Sequence, residues 1–281
     1  MKTQIPNTKR MPSGILKPLK STSLAGLLAL AGMLNAEAAN WDGTVSSDWN
    51  DPANWSTAAV PDGVNAALNK DGMSAYIPTI TADVAGKPSE IVIGGWFQTG
   101  RVDHQAGTLN TTNVGWPPGW MLIGYGAQGN ATYNLADTAN TGGTFTGFGT
   151  GSGTVNLWNA LIMGEPGGGN GNSVSTLNVN TTGSLNITND FNLGVSGWSA
   201  TMNLDAGTVT ENLLGANWQG QVYIPRGVNG NYTNATSGTL NMSGGTMEIG
   251  WRMHVGSCDS TVFTNYYTNL DETITMVTST Y

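Results

Sequence analysis

Apolar residues in this chain alternate with polar ones in short runs, and the runs themselves recur. In residues 176–194 the pairs Leu177/Val179, Leu185/Ile187 and Phe191/Leu193 are split by Asn178, Asn186 and Asn192. A period of two places the apolar members on one strand face and the Asn on the other. The linkers Asn180-Thr181-Thr182-Gly183 and Asn189-Asp190 are built from residues that tolerate turn conformations. Strands this short are not stable alone, but each can pair with its counterpart one repeat away.

Two markers show how far the repeat extends. Thr-x-Asn, with an apolar or aromatic residue at the middle position, recurs at Thr108-Leu109-Asn110, Thr132-Tyr133-Asn134, Thr154-Val155-Asn156, Thr176-Leu177-Asn178, Thr201-Met202-Asn203 and Thr239-Leu240-Asn241. The Asn residues are spaced by 24, 22, 22, 25 and 38 positions. Interleaved with them is a second marker ending in Gly: Ile91-Val92-Ile93-Gly94, Met121-Leu122-Ile123-Gly124, Leu161-Ile162-Met163-Gly164, Phe191-Asn192-Leu193-Gly194, Met247-Glu248-Ile249-Gly250 and Met253-His254-Val255-Gly256. A fixed period of this kind is the signature of a repeat architecture.

Three strands and three corners in about 22 residues predict one coil of a right-handed parallel β-helix, a β-solenoid. The frame of a leucine-rich repeat is missing, and the period is too short for a propeller blade. An antiparallel β-sandwich is the alternative. The stretched interval between Asn203 and Asn241 reads as a loop insertion or a coil with decayed markers. Residues 165–172, Gly- and Asn-rich, read as a flexible loop, because no Walker-type lysine or helix follows them.

The first 38 residues carry different information. Lys2, Lys9, Arg10, Lys17 and Lys20 precede an apolar stretch, residues 23–34, that ends in Ala36-Glu37-Ala38. These are the three parts of a secretory signal peptide, with cleavage expected after Ala38. The apolar run is well short of the roughly 20 residues needed to span a bilayer. Of 10 basic and 18 acidic residues, the leader holds five basic ones and Glu37, so the mature chain has a net charge of −12. Such a surface repels polyanions, which sets nucleic-acid binding aside. It permits surface calcium without specifying it, and the residue pattern of calcium-binding solenoids is absent. A single cysteine, Cys258, forms no intrachain disulfide and reads as a small apolar residue.

Residues 39–90 carry no repeat marker and read as an N-terminal capping segment, with the solenoid over 91–256. The segment is Trp-rich: Trp41-x-Gly43, then Ser47-Asp48-Trp49, then Asn54-Trp55. An exposed solenoid end needs such a lid. Stacking on sugar rings is the functional alternative for these tryptophans. The layout of signal, Trp-rich opening and Thr-Leu-Asn and apolar-x-apolar-Gly units resembles the autotransporter-associated β-strand repeat proteins. It also resembles the bacterial β-helix proteins that bear PEP-CTERM tails. The first motif gap here is one residue longer than the family pattern. The resemblance implies a β-helix at the bacterial cell surface with a passenger, stalk or adhesin-like role, and it carries over no catalytic set. Residues 257–281 show neither translocator barrel nor sorting tail. Their Thr-rich alternation from Thr273 to Thr278 reads as one more strand broken off, as in a fragment.

Three function classes follow. The regular features all serve the fold, which favours a non-catalytic structural or adhesin-like module with no cofactor, secreted or displayed at the outer cell surface. A carbohydrate-binding module would contact extracellular polysaccharide or cell-envelope components through Trp116, Trp120, Trp198, Trp218 and Trp251, many of them beside Gly at expected corners. A polysaccharide lyase or hydrolase needs paired acids or a base beside an acid on one face. Asp103, Arg252 and His254 are the residues that come nearest, although no acid recurs in successive coils. Two His and one Cys do not supply a four-ligand zinc site.

Overall fold

The computed structural model describes residues 38–68, 75–95, 98–114, 119–125, 130–138, 149–165, 173–195, 198–211, 220–226, 237–250, 252–257, 266–270 and 273–277. The leader up to Glu37 lies outside them, as do Trp116, Trp218, Trp251 and Cys258. The chain opens with β1 (Ala39–Asn40), β2 (Asn65–Leu68) and β3 (Thr79–Ile80). Then come β4 (Glu90–Gly95), β5 (Gly100–His104), β6 (Thr108–Asn110), β7 (Trp120–Tyr125), β8 (Asn130–Ala136) and β9 (Thr154–Leu157). The middle holds β10 (Leu161–Glu165), the long β11 (Ser173–Ile187), β12 (Phe191–Leu193) and the long β13 (Trp198–Glu211). The end holds β14 (Gln221–Arg226), β15 (Ser237–Met242), β16 (Thr246–Ile249), β17 (Arg252–Ser257), β18 (Tyr266–Leu270) and β19 (Thr273–Val277).

One sheet runs β1-β2-β4-β7-β10-β12-β14-β17, and each pair in it is parallel. The second runs β3-β5-β8-β11-β13-β15, also parallel, with β6, β9 and β16 joined alongside. The chain therefore alternates between sheets, and each strand pairs with its counterpart in the next coil. That is the strand order of a parallel β-solenoid, and it excludes the antiparallel sandwich. The predicted three strands per coil are present, but the coil is longer than the expected 22 or so residues: register partners in the first sheet, such as Ile91 and Met121 or Leu161 and Phe191, lie 30 apart. In β11 the first half pairs with β8 and the second half with β9, and its pairing with β13 shifts register between Val179 and Ser184. Second and third strands are thus fused across the Asn180–Gly183 corner.

The apolar pairs stack in columns. Ile91, Met121, Leu161, Phe191 and Val222 are in register in the first sheet, and Val102, Tyr133, Leu177, Met202 and Leu240 in the second. All ten are at most 2% exposed. Burying one such side chain contributes about 1.5–3 kcal/mol, so the columns supply the main driving force. The Gly that ends the apolar-x-apolar unit has a physical cause. Gly124 and Gly164 take φ of 84° and 79°. A Cβ at Gly124 would collide with the ring of Trp198, and one at Gly164 with Trp198 Cβ and Cγ. Both backbone conformation and space require glycine.

Pairing begins before the repeat markers do. β1 and β2 join the first sheet ahead of β4, so residues 39–90 contribute strands to it. The same segment holds a tryptophan cluster. Trp41 and Trp49 meet the ring of Trp55 edge-on, at centroid distances of 5.1 and 4.9 Å. All three are at most 2% exposed, which leaves no ring face for a sugar. Asn54, fully buried, accepts from the amides of Val45 and Ser46 and donates to Ser46 Oγ and Asp48 O. The Asn-Trp dipeptide of the opening motif is thereby a packing device.

At the other end the alternation from Thr273 does form a strand, β19, but it pairs antiparallel with β15 and β18 and so does not continue the parallel stack. Among the described residues, no helix is long and apolar enough to cross a membrane.

Candidate functional site

On the outer face of the second sheet the Asn of the Thr-x-Asn marker form ladders. Asn241 Nδ2 donates to Asn203 Oδ1 at 2.8 Å, Asn203 to Asn178 at 2.7 Å, Asn178 to Asn134 at 2.8 Å, and Asn134 to Asp103 Oδ1 at 2.7 Å. A second ladder runs from Asn186 to Asn156 to Asn110. Asp103, one of the three candidate catalytic residues, is the terminus of the first ladder. Arg101 grips it with both Nε and Nη2 at 2.9 Å. Its oxygens are committed to structure.

Arg252 and His254 lie on β17 of the other sheet, so the structure does not bring them to Asp103. His254 belongs instead to an aromatic and cationic column on the first sheet. Asn192, Tyr223 and His254 share one outward register. The His254 ring stacks on Tyr223 at 4.8 Å and 12°, and the Arg226 guanidinium lies 4.7 Å from the centre of the Tyr223 ring. Arg226 Nη1 donates to Asn192 Oδ1 at 3.0 Å and stands 3.6 Å from Asp190. Asp190 Oδ1 accepts from the Gln221 amide, and His254 Nε2 bonds Gln221 Oε1 at 2.6 Å. Burial raises the Tyr223 hydroxyl, against the opposing charge of Arg226. Tyr223 therefore carries both an imidazole and a guanidinium against its ring.

The sugar-stacking candidates divide. Trp198 is fully buried against Gly124 and Gly164, so it is a core residue. A sequence does not separate a Trp beside a corner glycine from one wedged between two glycines of other coils. Trp120 is half-buried at the start of β7. Trp158, absent from the sequence-based set, is 48% exposed at the corner before β10. Its amide donates to Thr111 Oγ1, and its Cβ lies against Gly119, next to Trp120. The signal for it was its place directly after Thr154-Val155-Asn156-Leu157, where a corner must follow.

Two titratable groups lie inside the solenoid: His104, beside the candidate Asp103, and Glu211, which was absent from the sequence-based candidates. His104, fully buried, has Nδ1 2.8 Å from Tyr133 Oη and Nε2 3.0 Å from Gly107 O. A carbonyl only accepts, so Nε2 carries the proton and Nδ1 accepts from Tyr133. Burial lowers His104 to about 4 and raises the Tyr133 hydroxyl, so the pair is neutral. Glu211, 1% exposed, occupies an inward position that aliphatic residues fill in neighbouring coils. Burial pushes its carboxyl up to about 7. Among the described residues no cluster of three or more His, Cys, Asp or Glu is arranged to hold a metal.

Comparison with known proteins adds no family: no family model matches the chain, and no curated protein or solved structure matches it significantly. The likeness to autotransporter-associated repeats rests on the motifs alone.

Proposed function

We propose that the chain is an exported, non-catalytic structural or adhesin-like β-solenoid module of the bacterial cell surface or extracellular matrix. The observation that carries this reading is where the outer polar groups go. Asn134, Asn178, Asn203, Asn192, Tyr223, Arg226 and His254 bond or stack with one another from coil to coil. Cleavage after Ala38 also leaves the first strand intact, since Ala39 is buried and pairs with Ala66. The test has two parts. Secreted protein should begin at Ala39 by N-terminal sequencing. Incubation with polyuronates and neutral polysaccharides should give no turnover; turnover abolished by Arg252→Ala would overturn the proposal.

One observation favours carbohydrate binding as a second reading. Trp158 presents an exposed indole on a rigid corner, with half-buried Trp120 on the adjoining strand, and indoles of this kind stack on pyranose rings. Saturable retention on an insoluble polysaccharide, lost in Trp158→Ala and kept in Trp198→Phe, supports it. Retention by neither wild type nor variant leaves the structural role alone.

A further inference from the structure

The inward positions of the third strands form a rung: Leu157, Ile187, Glu211 and Ile249. Three are aliphatic and one is a carboxylic acid. Glu211 Oε1 is buried and has no hydrogen-bond partner. The other oxygen, Oε2, accepts from the amide of Gly250 at 3.2 Å, and the backbone oxygen of Glu211 accepts from the same amide at 3.1 Å. Gly250 stands in the corner between β16 and β17, so one side chain on β13 holds the junction of the two following strands. That junction is thinly packed: Met247, Ile249 and Met253 face the core yet are only partly buried.

We propose that Glu211 is a proton-operated clasp, which keeps β16 and β17 docked on the solenoid while its carboxyl is protonated and loosens them when it ionises. An isolated carboxylate in an aliphatic rung is strongly disfavoured, and the response that restores its hydration is to open the corner above it. The surroundings offer no compensation. Asp190, on the corner before β12, adds a like charge. Glu248 on β16 is exposed and bonded to Thr210. Arg226 on β14 is engaged by Asn192 and Asp190, and His254 on β17 by Gln221 and Tyr223. Arg252, also on β17, is exposed. Residues 212–219, which follow Glu211 in the chain, contain no titratable residue. Among the described residues no cation forms an ion pair with Glu211.

The sign follows from linkage. The docked state holds its proton up to about 7 and the opened state only to about 4.5. Docking is therefore fully supported below about 4.5 and loses that support as pH rises through 7. Amide hydrogen exchange of residues 246–257, expressed relative to intrinsic rates at each pH, reads this directly. Between pH 5 and pH 8.5 their protection should fall on the order of 50-fold, while that of β4 to β10, where His104 gains its full contribution over the same range, should not fall. Glu211→Gln, which keeps the shape and cannot ionise, should stay protected across the range. His254→Asn should reproduce the wild-type profile. A flat wild-type profile, a fall that persists in Glu211→Gln, or one abolished by His254→Asn overturns the proposal. Should Glu211→Gln not fold, the carboxyl carbon of Glu211 in the wild-type chain decides: a midpoint near 7 supports the clasp, and one near the ordinary carboxylate value refutes it.

Discussion

The early and late coils each place one ionisable side chain inside, and they solve the problem differently. His104 finds a donor in Tyr133 and an acceptor in the Gly107 carbonyl, so it is neutral and fully paired. Glu211 keeps one oxygen without a partner. The ends of the solenoid repeat the contrast. Three tryptophans near the first strands are buried to 2% exposure or less, whereas Met242, Met247, Ile249 and Met253 at the last coils are only partly buried. A polar group inside an apolar column is tolerable when its own bonds are complete, and becomes a weak point when they are not. The two groups also respond to acid in opposite directions. The contribution of His104 is fully present above about 6.5 and is lost as pH falls through about 4. That of Glu211 is present below about 4.5 and is lost as pH rises through about 7.

The contrast between the ends is tested first by truncation. Trp49→Ala should cost about 3–5 kcal/mol in chemical denaturation, against about 1 kcal/mol for Met253→Ala, because only the first leaves a sealed cavity. Equal losses would mean that the two ends are equally packed. Next comes His104. Lowering pH from 6.5 to 4 should cost the wild type about 3 kcal/mol more than His104→Gln, measured as the difference between their urea midpoints. At pH 8, Glu211→Gln should be about 2 kcal/mol more stable than wild type, with the gain vanishing near pH 4. The smallest effect separates the middle of the Asn ladder from its end. Asn178→Ala should cost about 1–2 kcal/mol, since it strands groups on both Asn134 and Asn203, and Asn241→Ala about half that.

The solenoid itself was readable from sequence because its coils share one requirement, an apolar pair facing inward. The coil length was not. Ile91 and Met121, and Leu161 and Phe191, are register partners 30 residues apart, whereas the 22-residue Thr-x-Asn spacing steps between second strands (Asn134, Asn178) and third strands (Asn110, Asn156). Leu177/Val179 and Leu185/Ile187 are buried where the alternation puts them. The first strands escaped because Ala39 and Ala66 fill inward positions without looking like a hydrophobic run. Glu211 was within reach. Setting Val155/Leu157, Leu185/Ile187, Val209/Glu211 and Met247/Ile249 beneath one another shows an acid in an aliphatic column. Trp198 and Trp158 were not separable, because which one turns inward depends on Gly124 and Gly164, residues of other coils. The pairing of Arg226 with Asn192 and Asp190 likewise joins positions more than 30 apart in the chain.

The Asn ladders point one way. Each amide donates to the coil before it, and the first ladder comes to rest on the carboxylate of Asp103. Any coil that brings an Asn to the same register finds the acceptor it needs already in place, and it presents an identical one to its successor. For the ladder alone, coil number is therefore a free parameter: an Asn-bearing coil added in register completes its amide bonds on both sides, and each one lengthens the ladder by one strand spacing, about 4.8 Å.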